Sequence, residues 1–163
     1  MRKTLEAIAL GALGLLFRIT YSALYGPDPL LDRIPTHFGA DGQPNGWGPP
    51  SSLWLLPIVA GSLYLFITVL ALLPARFNIP IQVTDLNRPR IEALTRQMVA
   101  FLKVYLTCLF TWIQWCIIDG ARQGLASFSP VVVPVFLVVV LGTTLAHIVA
   151  MFRAARTVSN PQV

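Results

Sequence analysis

The chain has 163 residues, 55% of them hydrophobic and only 12% charged, with a formal net charge of +5 and a mean hydropathy of +0.68. Soluble domains carry roughly 25% charged residues; so sparse a set cannot coat a water-facing surface, which argues against an ordinary soluble enzyme, and the same figures exclude intrinsic disorder. The basic residues are not gathered into the patch a nucleic-acid binder needs, and the two cysteines, Cys108 and Cys116, lie in one apolar run where a helix would hold them beyond bridging distance.

A hydrocarbon core needs about 20 apolar residues per crossing helix, and four stretches supply them: 5–25, 51–73, 91–118 and 131–152. The predicted fold is an all-α integral membrane protein, one domain over 1–163. It is a four-transmembrane-helix bundle with a structured outer loop, 26–50, between the first and second helices. Arg2 and Lys3 precede the first span, but its apolar run continues past Arg18 to Leu24 with no small-x-small site, so it is expected to stay as a helix and not to be a cleaved signal. At about 100° per residue, Ala7, Gly11, Gly14, Arg18, Ser22 and Tyr25 share one face. Small residues on one stripe let helix backbones approach, so this face is expected to point inward and carry Arg18 into the bundle.

The loop is the most individual stretch. Ile34 to Phe38 reads as a short strand that returns after the Asp41-Gly42 turn; Asn45-Gly46 is a second turn dipeptide, and Pro44 excludes a helix. Trp47 is expected on the membrane surface, with Ser51 and Ser52 opening the next helix. Two readings stand side by side. In one, the loop caps the bundle, with His37 bonding backbone and Phe38 and Trp47 packed on the helix ends. In the other, His37, Phe38, Asp41 and Trp47 bind a ligand. His37 and Asp41 fall short of a zinc set, and no Gly-x-Ser-x-Gly, His-Glu-x-x-His or P-loop occurs. No metal, cofactor or catalytic residue is therefore expected, and the chain is not read as an enzyme.

Further along, Pro57, Gly61, Tyr64, Thr68 and Ala75 align on the second span. Pro74 and Pro80 punctuate its end, and Pro89 suits the first turn of the third helix. On that helix Glu92, Arg96, Lys103, Thr107 and Gln114 share a face, and on the fourth Thr143, Thr144 and His147 lie close together, His147 as an interhelical donor. Glu6, Glu92 and Asp119 all lie near helix ends, so the expected interior is polar and net positive, with no counter-ion at its own level. Cations so placed either reach headgroups and neighbouring helices or receive an anion. The second case makes Arg18, Lys103, Gln114 and His147 candidate ligand-binding residues for a lipid phosphate or a carboxylate.

Orientation follows from the Lys and Arg distribution. Arg2, Lys3, Arg76, Arg88, Arg90, Arg96, Arg153 and Arg156 fall on one side, Arg33 and Arg122 on the other. Both termini are thus expected in the cytoplasm. Tyr21, Tyr25, Trp47, Trp54, Trp112 and Trp115 form an aromatic belt at the opposite face.

The order Ile-Pro-x-His-Phe, Gly-x-x-Gly, Pro-Asn-Gly-Trp-Gly, followed by an apolar helix opening with Leu-Pro, resembles a bacterial membrane module of unknown function that occurs in SdpI-type toxin-immunity proteins. The resemblance runs from about Ala7 to Leu70, and the motif positions are Pro35, His37, Phe38, Gly42, Pro44 and Trp47. Where relatives often have a Lys after Trp-Gly, this chain has Pro49-Pro50-Ser51. The resemblance implies a multi-pass protein of the bacterial cytoplasmic membrane, with sensing or immunity-type binding of an extracytoplasmic peptide or lipid. The alternative is a small transporter or accessory subunit with a cationic path for an anionic or lipidic solute. The expected partners are the bilayer, a lipid or peptide ligand and a membrane-protein partner or second copy, with no nucleic acid.

Overall fold

The computed structural model describes residues 1–28, 30, 32–72, 83–124 and 129–156. Ala75, Pro74, Pro80 and Arg76 lie outside the described residues. Among the described residues four helices are long and apolar enough to cross a membrane: α1 (Arg2–Tyr25), α2 (Leu55–Leu72, entered through a 3-10 turn, Pro50–Trp54), α3 (Arg88–Gln123) and α4 (Val132–Arg156). Between α1 and the 3-10 turn stands an antiparallel hairpin, β1 (Ile34–Phe38) and β2 (Pro44–Gly48).

Local chemistry sets the boundaries. α1 stops at Gly26, extended at φ −79° and ψ 179°, whose N–H bonds the Ser22 carbonyl; Pro27 lacks the N–H to continue. α3 is preceded by a reciprocally bonded turn. The Thr84 N–H donates to Asn87 Oδ1 (2.8 Å), and the Asn87 N–H donates to Thr84 Oγ1 (3.4 Å), closing the turn that leads into the helix. It ends at Gly124 in the left-handed region, φ 69°. The helix therefore starts three residues before the expected 91 and outruns 118 by five. Ser51 and Ser52 open the 3-10 turn; the α-helix proper begins at Leu55.

The hairpin turn is tied by its own residues. Gly39 N–H donates to the Gln43 carbonyl (2.8 Å), Gly42 N–H to the Gly39 carbonyl (3.0 Å), and Gln43 N–H to Asp41 Oδ1 (3.0 Å). Gly42 sits at φ 76°, a conformation that costs other L-residues about 1 kcal/mol or more. Across the ladder, a Cβ on Gly46 would come within 2.9 Å of His37 Cβ, so only glycine lets the strands close there.

Cross-helix bonds fix the register. α1 and α3 run parallel, joined at Glu6–Lys103, Ala12–Thr111 and Thr20–Gln114; α2 runs against them, with Tyr64 at Glu6 and Leu53 at Gln114. α4 runs against α3, with Met151 at Thr95 and Thr143 at Tyr105. One end of the bundle carries the hairpin over a core of Ala23, Ile34, Leu53, Ile117, Ile118 and Ala121. The opposite end, closed by Ile91, Met151 and Ala154, bears Arg2, Lys3, Arg88, Arg90, Arg96, Arg153 and Arg156 at the helix ends.

The inward face of α1 is not the expected one. Leu5, Ala9, Leu16, Thr20 and Ala23 are buried, whereas Ala7, Gly11, Gly14, Arg18, Ser22 and Tyr25 are all exposed. The two sets have the same spacing and differ by two residues, a rotation of about 200°. Gly11 and Gly14 have open space where a Cβ would be. The face that packs is built from mid-sized residues that fill the α1–α3 gap and from a threonine with a bonding partner.

Candidate functional site

Three constellations gather the chemistry-bearing side chains. The first lies toward the basic end. Lys103, 3% exposed, donates from Nζ to Glu6 Oε1 (3.0 Å) and Oε2 (3.1 Å), and Tyr64 Oη donates to Glu6 Oε2 (3.0 Å). The ammonium also sits 4.8 Å from the centre of the Tyr64 ring, within cation–π range. One carboxylate thus ties α1, α2 and α3 together. The expectation that Lys103 lacks a counter-ion is overturned. Lys103 lies fifteen residues into α3 and Glu6 four residues into α1, but α3 overhangs α1 by about 16 Å at 1.5 Å per residue. Glu6 therefore stands within reach of Lys103.

The second lies beneath the hairpin. Gln114, fully buried, donates from Nε2 to Thr20 Oγ1 (2.7 Å) and to the Leu53 carbonyl (2.9 Å). Thr20 in turn donates to the Leu16 carbonyl (2.8 Å). The Leu53 carbonyl can only accept, which fixes the amide orientation. Gln114 Oε1 is then a buried acceptor without a hydrogen-bond donor among the described residues. α1, the 3-10 turn and α3 are clamped by one neutral side chain.

The third is the hairpin. Ile34 and Pro35 are buried and Phe38 packs on the helix-end core, while His37, Asp41, Asn45 and Trp47 are exposed. The capping reading expected His37 to bond backbone; instead its Nδ1 faces the Asn45 side-chain oxygen, Oδ1, across the strands. Trp47 does not pack on the helix ends: it is 48% exposed, and its carbonyl accepts from Arg33 (3.2 Å). β2 alternates as a strand should, with Asn45 and Trp47 out, whereas β1 is buried at its start and exposed from Thr36 to His37, where its register with β2 is irregular.

The other expected residues fall outside these groups. Arg18 is exposed on the outside of α1 and not turned to the bundle. Glu92 and Arg96 are exposed and pair with each other at 3.6 Å, away from Lys103, Thr107 and Gln114, which are buried. His147 is not an interhelical donor: its Nδ1 meets the Thr143 carbonyl of its own helix (2.8 Å), and its ring stands edge-on to Phe101. Sequence reasoning missed Glu6, Thr20 and Asn45 as partners. For Glu6 a signal existed, the match of the one acid of the first span to the one base inside the third, hidden by the unequal helix starts. Among the described residues no group of three His, Cys, Asp or Glu could hold a metal.

No curated protein and no solved structure matches the chain significantly. Residues 14–61 match the family model of a domain of unknown function, DUF1648; the shared segment is the second half of α1, the hairpin, the 3-10 turn and the opening of α2.

Proposed function

We propose that the chain is a multi-pass protein of the bacterial cytoplasmic membrane, with both termini in the cytoplasm. Its outer hairpin recognises an extracytoplasmic peptide or lipid, as in sensing or immunity. The observation that carries this reading is the hairpin's divided surface: its start, Ile34 and Pro35, is buried at the helix ends, and His37, Asn45 and Trp47 are exposed. An element seated on helix ends that exposes an aromatic and a polar pair is how binding surfaces are built on scaffolds. The positive-inside distribution supports the orientation. The transporter alternative has less support. Lys103 is closed off by Glu6 and Tyr64, and Gln114 is sealed, so the polar interior acts as a set of locks between helices.

Native mass spectrometry of the full chain, extracted in mild detergent from the membranes of its host, tests the reading. At least one bound peptide or lipid mass is expected to be lost in His37→Ala/Trp47→Ala and kept in Lys103→Met. Occupancy that follows Lys103 and ignores the hairpin pair overturns it in favour of a solute site inside the bundle.

A further inference from the structure

At the end of the bundle opposite the hairpin, a cleft of about 470 Å³ opens between the first turn of α1 and the opening turns of α3. Arg2, Pro89, Glu92, Ala93, Arg96 and Gln97 line it. We infer that this cleft binds the phosphate of an anionic phospholipid headgroup through Arg2 and Arg96.

Charge comes first. The chain has seven Asp and Glu residues, and all of them are described. Glu6 is committed to Lys103, and Asp85, fully exposed, lies in the turn ahead of α3 with Arg88 as its nearest cation at 3.7 Å. Asp28, Asp32, Asp41 and Asp119 belong to the hairpin end by their positions in the fold. Glu92 alone is left to the cleft, and it meets Arg96 at 3.6 Å with both side chains about half exposed. Charge-assisted bonds run about 2.7–2.9 Å, so the Arg96 guanidinium is far from saturated. Arg2 has no ion pair among the described residues. Two guanidinium groups facing one cavity suit the planar, multi-acceptor phosphate.

Depth selects a lipid over a free anion. Gln97 Nε2 lies 3.8 Å from Met1 Sδ, which places the start of α1 beside the third turn of α3. Arg2 and Arg96 thus share the level at which α1 begins, while Arg88 and Arg90 project further out. The Glu6–Lys103 pair follows one turn further along α1 and two turns further along α3. Past Arg2 and Arg96 the same helices expose Ile8, Leu10 and Leu102, apolar surface suited to acyl chains. A cation pair at this boundary is where lipid phosphates lie, and basic pockets between spanning helices are known headgroup sites.

The test is native mass spectrometry of the full chain in mild detergent with phosphatidylglycerol or phosphatidylcholine of identical acyl chains, alongside sodium phosphate without lipid. The wild type should retain one phosphatidylglycerol about tenfold over phosphatidylcholine, the scale of one charge-assisted contact. Arg2→Gln/Arg96→Gln should abolish the preference at unchanged helix content. Glu92→Gln, which removes the competing carboxylate, should raise it by about threefold, and that gain decides the matter if the double variant does not fold. Arg18→Gln should leave it unchanged. Equal retention of the two lipids, a preference that survives Arg2→Gln/Arg96→Gln or follows Arg18, or no gain with Glu92→Gln overturns the inference. Displacement of the lipid by millimolar phosphate that itself binds assigns the cleft to a free anion and overturns it likewise.

Discussion

The two polar locks of this bundle solve the same packing problem in opposite ways. Toward the basic end the lock is ionic: Lys103, Glu6 and the Tyr64 hydroxyl, with Glu6 33% exposed. Toward the hairpin end it is neutral and sealed: Gln114 with Thr20 and the Leu53 carbonyl, one acceptor left over. A buried charge is tolerable only beside its counter-charge, and it is cheaper still where one partner keeps some solvent. A neutral amide can go deeper, because an unmet acceptor costs about 1–3 kcal/mol where an unmet charge costs more. The ionic lock holds three helices near a polar boundary, and the amide lock holds the foot of the hairpin where no charge could sit.

The contrast is broken most strongly by Lys103→Met. It leaves the Glu6 carboxylate with only Tyr64, and the expected loss is about 3 kcal/mol, the lower end for a severed buried pair because Glu6 is part-exposed. SDS-driven unfolding in mixed micelles measures it, and Glu6→Gln/Lys103→Met should recover most of the loss. A double variant as unstable as the single one would mean that the pair is not the source. Gln114→Leu comes next, at about 1.5 kcal/mol. It strands the Leu53 carbonyl but also deletes the unmet Oε1, so the terms partly offset. Hydrogen exchange should then rise in the 3-10 turn before it rises in α2. Protection lost uniformly along the chain would show that Gln114 does not single out the hairpin foot. Tyr64→Phe sharpens the comparison at the smallest scale. It keeps the ring over Lys103 and removes one bond to a partly solvated carboxylate, for about 1 kcal/mol by the same unfolding assay. A loss equal to that of Lys103→Met would make the hydroxyl, and not the ion pair, the centre of the lock.

Much of the architecture could be read in the residue order. The four apolar runs, the turn at Asp41-Gly42 and the strand at Ile34 to Phe38 are local features, decided by hydropathy, by a glycine at positive φ and by proline. The inward placement of Lys103, Thr107 and Gln114 was also legible, because polar residues in an apolar helix have one economical direction to face. The candidate site was less legible. Trp47 and His37 were visible as unusual residues, but the His37–Asn45 pairing depends on an irregular strand register that no local rule supplies.

What the sequence alone determined is therefore the set of elements and their order, because apolar run length, caps and turn residues act within a few neighbours. Which face of α1 packs was decided only by the tertiary structure. In a chain that is apolar all round, hydropathy gives little contrast between inside and outside, and the Gly11–Gly14–Arg18 stripe and the Ala9–Leu16–Thr20 face have the same period. The choice fell to shape and to two long-range bonds, Glu6 to Lys103 and Thr20 to Gln114, whose existence depends on how far α3 overhangs α1.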